Sequence, residues 1–189
     1  GDSRYNEWKV DHNCFWYFPK EEYMAKYPEF YASSGEQMCF TAKGNAELFD
    51  LMTTIAAEKI EQSLVWYPAA EYSNYIGVQL GMNDLEGQAC TCDACTREKN
   101  EHNGALSATL IKFLNATGKK VNAWMELPEN AAYKRENFQY MFLAYNDEMS
   151  VPPVEKDAKG NYIVKEDLKE EGVIIVPYCA LNRFDFGKS

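Results

Sequence analysis

The chain has no run of about 18 apolar residues, so nothing in it reads as a membrane-spanning helix. Its opening, Gly-Asp-Ser-Arg-Tyr, lacks the apolar stretch of a secretory leader. Positive charge is scarce: 19 Lys and Arg stand against 29 Asp and Glu, a net charge of −10. An acidic surface repels phosphate backbones, which argues against nucleic acid as a partner. A dinucleotide fingerprint is also missing, because Gly81-Met-Asn-Asp-Leu-Glu-Gly87 has the wrong spacing for Gly-x-Gly-x-x-Gly. Histidine is limited to His12 and His102, both outside the cysteine-rich stretch, which argues against a catalytic metal held by imidazoles.

What is present suits one globular domain. The 189 residues are 46% hydrophobic, enough for a sizeable core. Aromatic residues reach 14%, and aromatic rings stack on the apolar faces of sugars, so the composition leans weakly toward carbohydrate. Five stretches read as buried strands: Trp8 to Phe15, Gln37 to Thr41, Tyr75 to Leu80, Phe138 to Tyr145 and Val173 to Cys179. Helical spacing covers Asn45 to Gln62, with Asn45 as N-cap, and Ala105 to Met125, which Gly118 is expected to kink or split. A short helix is expected from Pro19 to Lys26. The polar stretch at about 150–172 reads as an excursion within a single domain spanning 1–189. Alternating strands and helices predict an α/β fold, with mostly parallel strands and outer helices. Two architectures compete, an open doubly wound sheet and a (β/α)8 barrel. A full barrel runs to about 250 residues, so a barrel here is partial or trimmed.

Four groups of residues are candidates for chemistry. Asn83-Asp84-Leu85-Glu86 follows the third predicted strand, at the strand end where α/β folds carry their sites. Asp84 and Glu86 supply two carboxyl groups, the pair that glycosidic cleavage uses. The same residues also suit an Asx-turn. Cys90-Thr-Cys92-Asp-Ala-Cys95 places three thiols within six residues, and Cys39 ends the preceding predicted strand. Four thiols of this kind form either a structural zinc site or two disulfides, and the spacing does not choose between them. His12, at the end of the first predicted strand, is a candidate for a sugar hydroxyl or for acid–base work. Tyr145 ends the fourth predicted strand, and Trp16 is a further ring for a sugar-binding mouth. Asn115-Ala-Thr117 matches the glycosylation pattern but falls inside a predicted helix and is set aside.

Taken in order, Tyr27-Pro-Glu-Phe-Tyr31, Gln37-Met-Cys-Phe-Thr41, Asn83-Asp84, Cys90-Thr-Cys-Asp-Ala-Cys95, Leu143-Ala-Tyr145 and Pro177-Tyr-Cys179 resemble the domain-of-unknown-function family 4838. The resemblance covers roughly residues 8 to 180. It implies similarity to (β/α)8 glycoside hydrolases, some of them endo-β-N-acetylglucosaminidases of glycoside hydrolase family 163. It further implies an extracytoplasmic bacterial protein with a β-rich domain before the barrel and more chain after it. By this resemblance His12, Asn83, Asp84 and Tyr145 match the family's His, Asn-Asp and Ala-Tyr positions. Asp84 is then the catalytic or acetamido-orienting carboxylate. The expected function is hydrolysis of an N-acetylhexosamine-containing glycan. The alternative is a non-catalytic carbohydrate-binding or structural domain on a degenerate barrel. A glycan is the expected partner, with self-association through unpaired strand edges of a partial barrel.

Overall fold

The computed structural model describes residues 13–75, 77–83, 87–144, 154–156, 158–159, 162–164 and 173–177. The fold is α/β. Two short helical segments come first, α1 (Cys14–Tyr17) and α2 (Lys20–Tyr23), followed by a long helix α3 (Ala46–Trp66). Strand β1 (Gly77–Gly81) follows, then α4 (Asp93–Glu101), α5 (Ser107–Met125) and β2 (Gln139–Ala144). The chain then forms β3 (Val154–Lys156), β4 (Tyr162–Val164) and β5 (Val173–Pro177). Strands β1, β2 and β5 make a parallel sheet in the order β1-β2-β5, paired Gly77 to Gln139 and Tyr140 to Val173. Parallel neighbours require long crossovers. Helices α4 and α5 supply the first, and the second contains the separate antiparallel pair β3–β4. The expected polar excursion therefore carries a small two-stranded pair.

Helix α5 is the centre of the core. Residues Leu110, Phe113, Leu114 and Val121 are buried on one side, while Ser107, Ile111 and Gly118 are buried on another. The first side packs on α3, and α5 also touches β2 and β5. Phe113 gathers rings from three other segments: Phe18 at 6.2 Å, Phe40 at 5.4 Å and Phe49 at 6.5 Å. The expected kink at Gly118 is absent, and α5 runs through it unbroken. The glycine serves packing instead. A Cβ there would lie 2.9 Å from Cε2 of the fully buried Tyr140. Tyr140 in turn donates its hydroxyl to Asn122 Oδ1 at 2.6 Å and to the Gly118 carbonyl at 3.3 Å.

Two expected strands are corrected. The segment from Trp8 to Phe15 does not continue as a strand, because Cys14–Tyr17 is a helical turn; residues 8 to 12 lie outside the described residues. The turn forms because the Asn13 carbonyl accepts from Trp16 N at 2.9 Å, and burying Cys14 and Tyr17 demands a spacing of three. Gln37 to Thr41 is not a sheet strand either. It makes a single antiparallel bridge, Tyr31 to Met38, between a turn at Ala32–Gly35 and another at Cys39–Ala42. Three elements shift only at their ends. α3 extends to Trp66 with Asn45 Oδ1 capping Leu48 N at 3.1 Å, β1 spans Gly77–Gly81, and β5 is described to Pro177.

Candidate functional site

The strand end that the sequence singles out is held by an unusual density of side-chain bonds. Asn13 lies along the edge of β1 away from β2. Its amide nitrogen donates to the Gln79 carbonyl at 2.8 Å, and its amide oxygen accepts from Gly81 N at 2.6 Å. One side chain thus imitates a neighbouring strand, satisfying two backbone groups of β1 on the edge that no described strand pairs. Two residues beyond β1, Gln37 does the same for Asn83. Its Nε2 donates to the Asn83 carbonyl at 2.7 Å, and its Oε1 accepts from Asn83 N at 3.2 Å. Gln37 is fully buried, so its amide end of the pairing is shielded from water.

The Asn83 side chain is engaged as well. Its Nδ2 donates to the Glu36 carbonyl at 2.8 Å, and its Oδ1 accepts from the Cys14 thiol at 3.5 Å. Burial pushes the Cys14 thiol up to about 12, so it stays protonated and remains a donor. Asn83 is therefore fixed through backbone and side chain together. Asp84, Leu85 and Glu86 follow it directly and lie outside the described residues, as do His12 and Tyr145. Trp16 is described and half exposed. It lies two residues from Cys14, about 200° around the helical turn. Its carbonyl accepts from Lys59 of α3 at 2.9 Å, so Trp16 belongs to the α3 side rather than the Asn83 side of that turn. Asn115 is buried within α5, as expected of a pattern inside a helix.

A few residues farther on, the chain reaches the cysteines. The sulfurs of Cys39, Cys90, Cys92 and Cys95 all lie within 4.8 Å of one another. Cys39 Sγ is 3.7 Å from both Cys92 Sγ and Cys95 Sγ. All the described cysteines are free thiols, so the disulfide alternative finds no bond here. Cys39, Cys90 and Cys95 are buried and Cys92 is partly exposed. Backbone N–H groups point at two sulfurs: Lys43 N at Cys39, 3.2 Å, and Cys95 N at Cys92, 3.5 Å. The Thr41 hydroxyl sits among them, 3.4 Å from Cys39 Sγ and 3.2 Å from Cys95 Sγ.

Local structure explains why the thiols converge. Ala42, Lys43 and Gly44 have φ of 44°, 52° and 86°, a left-handed turn that swings the Lys43 N–H back onto Cys39. A Cβ on Gly44 would meet Ala94 Cβ at 3.2 Å, so glycine lets the turn approach the start of α4. Cys92 is the N-cap of α4, its sulfur accepting from Cys95 N. Hydrogen bonds from Cys90 and Cys95 hold Cys39 well below the usual thiol range, and bonds within the same group raise Cys90 and Cys95. Four sulfurs this close together are a donor set that one metal cation can bridge.

The clamp and the cluster share one segment. Glu36 and Gln37 hold Asn83; two residues later, Cys39 joins Cys90. Both ends of the stretch from Asn83 to Cys90 are therefore moored on residues 36–39. The model of the family described as Domain of unknown function (DUF4838) matches residues 2–163. The chain belongs to DUF4838. The match spans the Asn13 edge contact, the Asn83 clamp and all four clustered cysteines, and β5 of this DUF4838 chain lies beyond it. No curated protein and no solved structure matches the chain.

Three features of this DUF4838 site have no counterpart among the residues picked from sequence: the Asn13 edge mimic, the Gln37 clamp and Thr41 among the thiols. Gln37 did leave a signal, a polar amide leading the apolar run Met38-Cys39-Phe40. The Asn13 contacts with β1 and the Thr41 contacts with Cys92 and Cys95 reach across more than 50 residues and left none.

Proposed function

We propose that this chain is the active-site segment of a glycoside hydrolase on a (β/α)8-type barrel, acting on an N-acetylhexosamine-containing glycan. One observation carries the reading: the stretch containing Asp84 and Glu86 leaves the C-terminal end of a parallel strand and has both of its ends moored on residues 36–39. In α/β folds that end of the sheet is where reacting groups are presented. A carboxylate that must meet one sugar atom gains from such anchoring, because misplacement by an ångström is costly in rate.

In this reading Asp84 faces the sugar's acetamido group and Glu86 is the second carboxyl group of the pair that glycosidic cleavage requires. Asn83, with both ends of its side chain engaged, acts through the placement of Asp84. His12 and Tyr145 complete the glycan contacts. The metal at the four thiols is zinc in a structural role, and the setting is extracytoplasmic.

The test is to incubate the full-length protein and its Asp84→Asn variant with a complex-type N-glycopeptide and follow released glycan by mass spectrometry. The reading requires product from the parent, none from the variant, and equal melting temperatures. Glycan binding without product from either protein would replace it with a non-catalytic carbohydrate-binding domain. Neither binding nor product would leave a structural domain.

A further inference from the structure

We infer that Cys39, Cys90, Cys92 and Cys95 form one closed tetrathiolate zinc centre with Thr41 as its positioning residue, and that this centre sets the far end of the Asn83–Cys90 stretch. The inference deepens the proposed function and rests on it only where glycan turnover is measured.

Size comes first. Zinc binds thiolate sulfur at about 2.3 Å, and a tetrahedron of that radius has edges of about 3.8 Å. Cys39 stands 3.7 Å from two of its partners, and all four sulfurs fall within 4.8 Å. A disulfide needs about 2.05 Å. The four thiols already approximate the tetrahedron, so binding requires only small movements.

Donors come second. Binding converts four thiols and one Zn²⁺ into a zinc tetrathiolate of charge −2, with four protons leaving to the buffer. A buried charge of −2 must be met by hydrogen bonds. Lys43 N–H and Cys95 N–H each point at a sulfur, and the N-terminus of α4 adds its dipole. The Thr41 hydroxyl lies within 3.4 Å of two sulfurs and 3.8 Å from Cys92. Once the thiols are ionised it has only acceptors around it on that side, so it donates. This is the outer-shell support that typically changes metal affinity by 10–100-fold.

Four protein ligands leave no open position for water or substrate, so the ion is structural. Its work is topological. It ties residues 39–44 to residues 90–95, and thereby closes the stretch that Gln37 holds at its other end.

The experiment uses the chain purified without chelator. Metal analysis is expected to give one zinc per chain and no iron, and cobalt replacement is expected to give a sulfur-to-cobalt charge-transfer band. Thr41→Val removes a hydroxyl and no ligand; zinc affinity, measured by competition with a chromophoric chelator, is expected to fall 10–100-fold with the cobalt band kept. Zinc removal is expected to speed amide exchange in residues 36–44 and 83–95 while α3 and α5 keep theirs. Iron in place of zinc, no metal with a mass four hydrogens light, or Thr41→Val affinity equal to wild type would each overturn the inference. Loss of exchange protection throughout the chain would overturn its second half. Glycan turnover is then read separately: a zinc-loaded protein without turnover sinks the hydrolase reading and leaves the zinc centre standing.

Discussion

Gln37 offers a sharp test, because a change of one atom should make stability depend on pH. Its buried amide donates to one Asn83 backbone group and accepts from the other. Gln37→Ala orphans both at about 1–3 kcal/mol each. Asn83 is only partly buried, so water relieves some of this. The expected loss is about 2–4 kcal/mol and flat with pH. Gln37→Glu behaves differently. A protonated Glu keeps both bonds, whereas a carboxylate cannot donate to the carbonyl 2.7 Å away and would be a charge in a fully buried position. Both effects raise the carboxyl pKa in the folded protein above its ordinary value of about 4.3. The folded state then binds the proton more tightly than the unfolded chain, so stability falls as pH rises from the unfolded pKa to the folded one. The loss is about 1.4 kcal/mol for each pH unit between them. A separation of two units means near wild-type stability at pH 4 and a deficit of about 2.7 kcal/mol at pH 7. Urea unfolding from pH 4 to 8, with wild type subtracted at each pH, measures the difference. A Gln37→Glu deficit that is constant over this range would refute the paired hydrogen bonds.

Two further substitutions probe the frame that carries the site. Gly118→Ala adds a methyl 2.9 Å from a Tyr140 ring carbon, and the ring is pinned by the hydroxyl bond to Asn122. Ala gains about 1 kcal/mol over Gly in a helix interior, while overpacking costs about 1–3. A net loss of up to about 2 kcal/mol is expected by thermal or urea unfolding; a clear stabilisation would mean that α5 can move away from β2. Asn45→Ala removes the cap on α3 and should cost about 1 kcal/mol, whereas Asn45→Ser should restore most of it.

Legibility in the sequence followed the range of the forces involved. The long helices were readable because apolar spacing is local, and the cap at Asn45 is local too. Strands β1, β2 and β5 were readable because a run apolar on both faces has few alternatives. α4 was missed: Asp93–Glu101 buries only Ala94 and Cys95, so it shows no apolar stripe. Its helix begins at the local Cys92 cap and is held in place by thiol contacts with Cys39, which are tertiary. The Trp8 to Phe15 expectation failed at its end for a similar reason. Aromatic residues favour strands, but Cys14 had to reach Asn83, 69 positions away, and Asn13 had to reach β1.

The cysteine cluster shows where local and tertiary evidence meet. Three thiols in six residues announced a shared task without naming the fourth partner's geometry. That geometry came from three consecutive left-handed residues, of which only Gly44 has a composition that suggests the conformation. The same turn sets the Lys43 N–H on Cys39 and leaves Gln37 two residues upstream to face Asn83. A chain needing only a stable core would have no reason to spend a buried glutamine, a buried thiol and four further thiols around one short stretch. Buried polar groups destabilise unless each finds its partner. Here, Gln37 and the four thiols meet at the two ends of the stretch that includes Asp84. That concentration argues that the position of this stretch, rather than overall stability, is what the arrangement serves.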